Sequence, residues 1–251
     1  MMNKRGQLAI FVIIAIVIIA VILVLLFPRI RIGIQPAPPE VELRNCLSEN
    51  VQGLLNTSLE NGGELNPRLY YLYNNITVGY VCYTTEWYVP CVMQKPLLKK
   101  HIEDEIEEAV KEEVRLCLDI MLDEFESRGY DVDVEGDNMI DVEIIPENVI
   151  ISLNSEITFT KGEDSSKLTI PKADFKSQAY KLIAIASSIA NWESRYGDAV
   201  PETYMGFYPD VKVEKKKQVE GSTVYILSHR DTNEVFNFAS RSVAWPPGYA
   251  F

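Results

Sequence analysis

An unbroken run of 20 apolar residues, Leu8 to Phe27, constrains this chain more than anything else in its 251 residues. At about 1.5 Å per residue, such a run wound into a helix reaches roughly 30 Å, the thickness of a bilayer's hydrocarbon core. A helix also closes its backbone hydrogen bonds internally, as lipid demands. The run predicts a transmembrane helix over 8–27 that contacts membrane lipid. Residues 1–7 form a short basic segment with Lys4 and Arg5. A basic stretch before a span favours a cytoplasmic N-terminus and an extracytoplasmic remainder. Arg29 and Arg31, just past the helix, weaken that charge argument. Pro28-Arg29-Ile30 follows the run without an Ala-x-Ala site. The segment therefore reads as an uncleaved anchor rather than a removed secretory signal.

Composition shifts sharply after the anchor. The chain holds 24 basic and 36 acidic residues, and only Lys4 and Arg5 precede the run. The rest carries 22 basic and 36 acidic residues, a formal charge of −14. A surface of that sign repels phosphates, so nucleic acid is excluded as a partner. Residues 28–39, rich in proline, predict a stiff extended linker.

Residues 40–251 carry mixed periodicities. Leu43, Leu47, Val51 and Leu54 recur at helical spacing over about 40–59. Tyr, Thr, Val and Trp crowd 69–93 and predict one or two short strands. Ile102, Ile106, Val110, Val114, Cys117, Met121 and Phe125 form one stripe of a helix over about 97–128. The acidic run Glu103 to Glu113 reads as its solvated face. A strand meander follows within 130–170, then a third helix over about 174–196, then two or three strands near Val211, Thr223–Ser228 and Val235–Ala239. The predicted fold is α+β: a transmembrane helix, then an extracytoplasmic domain of about three helices and an antiparallel sheet.

The four cysteines are Cys46, Cys82, Cys91 and Cys117. An even count in a domain placed outside the cell predicts two disulfides, and three pairings are possible. Cys82 and Cys91 flank a short aromatic segment that suits a hairpin. Cys46 and Cys117 both sit near apolar helical stripes, so pairing them would tie the two helices together. Buried free thiols in a cytosolic fold are the bland alternative. Zinc is disfavoured, because no Cys-x-x-Cys occurs. Asn56-Thr57-Ser58 and Asn75-Ile76-Thr77 fit the N-glycosylation acceptor pattern.

Lys4-Arg5-Gly6-Gln7 leading straight into the apolar run resembles the class III signal of archaeal type IV pilin-like proteins. That resemblance implies processing between Gly6 and Gln7. Assembling pilins commonly carry an acidic residue at the fifth mature position, where this chain has Phe11. Their helix also runs on into the head, whereas Pro28, Pro36, Pro38 and Pro39 interrupt it here. The whole chain is similar to a group of uncharacterised membrane-anchored archaeal proteins. The residues that carry this are Cys46-Leu47, Gly62-Gly63, Cys117-Leu118 and the ending Phe236-Asn237-Phe238-Ala239-Ser240-Arg241. The resemblance implies a location and an architecture, not an activity.

No motif announces catalysis or a cofactor. Gly-x-Ser-x-Gly, His-Glu-x-x-His and a phosphate-binding glycine loop are all absent. The two histidines are His101, at a helix start, and His229, at a strand end. Asp131, Asp133, Glu135 and Asp137 alternate like the start of a calcium loop, but Val142 stands where the bidentate Glu belongs. A strand with an exposed acidic face explains them better. Tyr70, Tyr71, Tyr73, Tyr80, Tyr83, Trp87 and Tyr88 form the densest aromatic cluster, which suits strand packing better than a binding face. The expected role is a non-catalytic, membrane-anchored surface protein with structural, adhesive or assembly work, self-association included. A tethered enzyme acting on cell-envelope polymers through carboxylates is the alternative.

Overall fold

The computed structural model describes residues 14, 16–18, 39–169 and 172–246. The chain divides into two units, Met1–Ala37 and Pro38–Phe251. In the first, residues 14 and 16–18 are helical and exposed. The rest of the predicted span 8–27, the Gly6–Gln7 processing point and residues 28–38 of the predicted linker lie outside the described residues. Among the described residues no helix is long and apolar enough to cross a membrane.

The second unit is mixed α+β with two sheets. Helix α1 (Pro39–Glu60) starts on a proline, whose missing N–H costs nothing in a first turn. Its residues Leu47, Val51, Leu55 and Leu59 are fully buried. Helix α2 (Leu98–Ser127) buries the stripe Ile102, Ile106, Val110, Val114, Leu118, Met121 and Phe125. Cys117 lies beside that stripe and bonds to Cys46 of α1, with 6.5 Å between the Cα atoms. The Leu65 N–H, just past α1, donates to Glu105 near the start of α2. The two helices are therefore antiparallel.

The smaller sheet is a long hairpin of β4 (Asp131–Ile145) and β5 (Asn148–Lys161), extended by β6 (Asp164–Thr169) and β7 (Lys172–Lys176), which both pair with β5. Strict alternation along β5 buries Val149, Ile151, Leu153, Ile157 and Phe159. One expectation from the sequence is corrected at its edge. Glu103 and Glu107 do not lie on a solvated face of α2. Glu103 accepts the N–H of Ile144 at 2.7 Å, and Glu107 accepts that of Val142 at 3.0 Å. Their carboxylates cap free backbone donors of the edge strand β4, which would otherwise invite pairing with another chain.

The larger sheet runs β1 (Tyr70–Tyr73), β2 (Ile76–Tyr83), β10 (Val235–Arg241), β9 (Thr223–His229), β8 (Val211–Lys217), with β3 (Val92–Met93) also on β2. The expectation of a single antiparallel sheet fails here. Strands β2 and β10 are parallel, because the chain crosses through α2, the smaller sheet and α3 before returning beside β2. Helix α3 (Ala179–Tyr196) starts later than its periodicity predicts, since Lys172–Lys176 is drawn into β7. A short helix α4 (Pro201–Phe207) has no counterpart in the sequence reading. One core joins all three long helices to both sheets.

The second disulfide, Cys82–Cys91, closes the excursion between β2 and β3, with a Cα separation of 5.4 Å. In the chain-entropy picture, the 71-residue separation of Cys46 and Cys117 is worth about 4 kcal/mol and the 9-residue one about 2.5 kcal/mol. Replacing each pair by alanine in the full chain should therefore lower the denaturation midpoint more for Cys46/Cys117 than for Cys82/Cys91. The reverse order in chemical denaturation would refute this account.

Candidate functional site

Two concave regions lie at opposite ends of the β9–β10 hairpin. The first is an open polar cleft of about 760 Å³ between α1, the β4–β5 turn, the start of α3 and the β9–β10 turn. Glu60, Glu147 and Glu234 contribute carboxylates to it. Glu234 is fully engaged. It accepts from Ser177 Oγ at 2.6 Å, from the Gln178 N–H at 2.8 Å and from Thr232 Oγ1 at 2.8 Å. The carboxylate thus sits on the Gln178 N–H at the N-terminus of α3, where a negative charge is favoured by the helix dipole.

His229 lies behind this cleft, buried at the end of β9. Its Nε2 is 3.2 Å from Asp210 Oδ2, and its Nδ1 is 3.2 Å from Thr232 Oγ1. A hydroxyl, an imidazole and a carboxylate therefore converge in space, although no sequence motif signals it. Their protons run the wrong way for nucleophilic attack. The Thr232 hydroxyl donates to Glu234, and the Thr232 backbone N–H donates to Nδ1 at 3.3 Å. The Nε2–H then donates to Asp210, which also accepts from Lys181 Nζ at 2.6 Å. The Lys181 hydrogen bond holds the Asp210 carboxyl below its usual range. The network clamps the β9–β10 turn to α3. His101, in the first turn of α2, has Nε2 3.8 Å from Glu64 Oε1. The alternating acids Asp131, Asp133 and Glu135 lie exposed along β4, strung out on an extended strand instead of wrapped around a point.

The second region is a groove of about 490 Å³ at the other end of the hairpin, walled by Tyr196 and Trp245. Trp245 lines it, Trp192 packs on its Tyr196 and Trp87 lies beside its Gly221, and all three tryptophans of the chain are exposed: Trp87 at 37%, Trp192 at 46% and Trp245 at 51%. Tryptophan is normally well buried, so three at one rim call for an explanation. The rings are also paired. Trp192 packs on Tyr196 with centroids 4.6 Å apart, and Trp245 meets Tyr88 edge-on at 5.1 Å. Arg241 stands 4.4 Å from the Trp87 ring and gives its guanidinium hydrogens to the carbonyls of Thr84, Glu86 and Glu220. That one buried cation ties the 84–88 loop to the β8–β9 turn.

The backbone at this rim is strained. Tyr88 and Val243 have φ of 62° and 43°, a region that bulky and β-branched residues rarely enter. Two hydrogen bonds hold them there, Tyr88 N–H to Ala244 O at 2.9 Å and Val243 N–H to Val89 O at 2.8 Å. Gly197 ends α3 in the left-handed conformation at φ 84°, and a Cβ there would overlap the Val243 side chain.

Beneath the rim lies Glu193, buried to 2% exposure. It accepts from the Tyr225 hydroxyl, from the Ala199 N–H at 3.0 Å and from Ser240 Oγ at 3.4 Å, with Lys215 Nζ at 3.9 Å. Desolvation raises its proton affinity above the ordinary carboxylate range, against the pull of these donors. The same burial and the neighbouring carboxylate push the Tyr225 hydroxyl far up. Among the described residues, the one carboxyl with clearly raised affinity therefore lies in the packed interior, outside the polar cleft.

The aromatic cluster over 70–88 divides. Tyr80 packs with Val78, Val224 and Ala239 on the outer face of the larger sheet, with Tyr71, Tyr73 and Tyr83 against them. Trp87 and Tyr88 join the exposed rim, and Tyr70 is exposed at the sheet edge. Trp192, Tyr196 and Trp245 are functional candidates that sequence reasoning misses. The i, i+4 spacing of Trp192 and Tyr196 opposite the small-residue face of α3 is the available signal. Of the two sequons, Asn75 sits exposed in the β1–β2 turn, whereas Asn56 lies within α1 and its Ser58 is fully buried. No family model, curated protein or solved structure matches the chain.

The raised affinity of Glu193 fixes a pH dependence. Its contribution is fully present below its unfolded value of 4.5 and is lost as pH rises through the higher folded value. Glu193→Gln should remove that loss. The stability of wild type minus that of the variant should therefore fall as pH rises from 4.5. A difference that stays flat across thermal melts from acid to neutral pH would show that Glu193 is not desolvated as described.

Proposed function

We propose that this chain is a single-pass, membrane-anchored cell-surface protein whose disulfide-braced α+β domain works by binding, in adhesion or assembly, through the aromatic rim. The observation that carries the reading is the exposure of all three tryptophans, Trp245 lining one groove and Trp87 and Trp192 beside it. Apolar rings cost free energy when left in water and are enriched where surfaces meet partners. The 20-residue apolar run supplies the anchor, and the two disulfides suit an oxidising exterior. The −14 charge after the anchor suits a soluble surface domain. The Lys4-Arg5-Gly6-Gln7 segment supports processing of the class III type before the helix, while Phe11 and the prolines argue against a filament core. A tethered enzyme would want two free carboxyls in a cleft, one with raised proton affinity. The polar cleft has Glu234 engaged, and the raised carboxyl is elsewhere.

On intact cells, added protease should degrade the domain and leave a membrane-bound fragment containing 8–27. Alkylation should find no free thiol among the four cysteines before reduction. Where the host glycosylates Asn-x-Ser/Thr, peptide mapping should find glycan at Asn75 and none at Asn56. A domain recovered in the cytosolic fraction with reduced cysteines would end this reading.

A further inference from the structure

We infer that the groove between Tyr196 and Trp245 binds a neutral glycan chain, an inference that rests on the rim being the contact face. A pyranose ring presents flat patches of C–H groups fringed by hydroxyls, and such a patch stacks on an aromatic face. The two wall rings are each buttressed by a second ring, Trp192 behind Tyr196 and Tyr88 beside Trp245. Their orientation is set before any ligand arrives, which lowers the entropic cost of binding. Between the walls the lining turns to backbone and small side chains. Gly197 and Gly221 both have left-handed φ and both line the groove, and the space a side chain would take at each is filled by Val243 and Ala244, which packs the floor closely.

The polar groups decide the ligand's class. Asp198 and Lys217 line the groove as an ion pair at 3.3 Å, each about two-thirds exposed. Among the described residues they are the only charged side chains lining the groove, and their charges cancel, inside a domain that is strongly acidic overall. Neither a polyanion nor a polycation finds a matching field there. A protein surface closing over the groove would strip water from Asp198 and Lys217, which is unfavourable, and interface cores are depleted of charge for that reason. Sugar hydroxyls avoid this cost, because each replaces a water and both donates and accepts. The other polar groups are largely engaged: Ser222 with Tyr80, Ser242 with Glu193 and Cys91, and Gln218 with Tyr71 and Lys216. Asp198 and Lys217 are then the side chains that read hydroxyls, and the rings supply contact area. The hydrogen bonds from Tyr88 N–H to Ala244 O and from Val243 N–H to Val89 O hold the strained backbone that brings Val243 and Ala244 into the groove lining.

The test uses the full chain in a sugar-free detergent with neutral hexasaccharides of glucose, mannose, galactose and N-acetylglucosamine. Tryptophan fluorescence is the readout, because Trp245 lines the groove and Trp192 packs on its Tyr196. At least one hexasaccharide should bind, and Trp245→Ala and Tyr196→Ala should each weaken it about tenfold. Trp245→Phe should restore most of the affinity. Phe207→Ala, an exposed aromatic outside the groove, should change nothing. No binding of any of the four at roughly 10 mM, or binding indifferent to Trp245→Ala, overturns the inference. If no glycan binds yet cross-linking through Tyr196 or Trp245 captures a second copy or another surface protein, the glycan inference falls and the contact-face reading stands. If both variants also leave adhesion of the intact cells unchanged, the contact-face reading falls with it.

Discussion

The carboxyl group of Glu193 joins the parts on which the rim depends. It lies near the C-terminal end of α3, yet it receives the Tyr225 hydroxyl from β9, the Ser240 hydroxyl from β10 and the Ala199 N–H from the following loop. The Glu193 carbonyl accepts from Ser242, whose oxygen in turn receives the Cys91 N–H. Burial disfavours the charge, and the donors and Lys215 offset part of that penalty. An apolar residue of similar size could fill the volume. It could not fix where the last turn of α3 meets the sheet, and that turn carries Trp192 and Tyr196.

The same logic appears at other junctions. Among the described residues Arg241 has no carboxylate partner and is satisfied by three carbonyls and the Trp87 ring, which brings the 84–88 loop to the β8–β9 turn. Glu234 caps α3 from the β9–β10 turn, and Glu103 and Glu107 cap the edge of β4 from α2. In each case a charged side chain binds backbone groups that packing alone would leave unpaired. The disulfides brace one long return of the chain, from α1 to α2, and one short one, from β2 to β3.

A frame of this kind bears on function. Rings that are exposed and also held in fixed orientation differ from scattered surface apolar residues, which are normal on any protein. In the polar cleft at the far end of the β9–β10 hairpin, Glu234 is closed on Ser177, Gln178 and Thr232, which ties the β9–β10 turn to the start of α3. The rim leaves its rings, Asp198 and Lys217 facing solvent. Charge, aromatic area and backbone strain coincide at this one surface.

Sequence by itself determined the elements whose signal is periodic. The stripe from Ile102 to Phe125 dictated α2, the alternation from Val149 to Phe159 dictated β5, and spacing and context favoured the cysteine pairs that the structure joins. Periodicity works there because burial repeats with the geometry of helix or strand. Contacts between residues far apart in the chain are settled by the folded arrangement alone. The parallel pairing of β2 with β10 joins strands some 150 residues apart, and no local pattern encodes it. The capping role of Glu103 could not be told from a solvated face, because an acidic residue reads alike whether it meets water or a strand edge. The rim was hidden for the same reason. Trp87, Trp192 and Trp245 are scattered along the chain, and an exposed tryptophan is spelled like a buried one. What the sequence made plain is the apolar run from Leu8 to Phe27. What the fold added is the surface at which three rings remain in water, because Glu193 and Arg241 hold their supports in place.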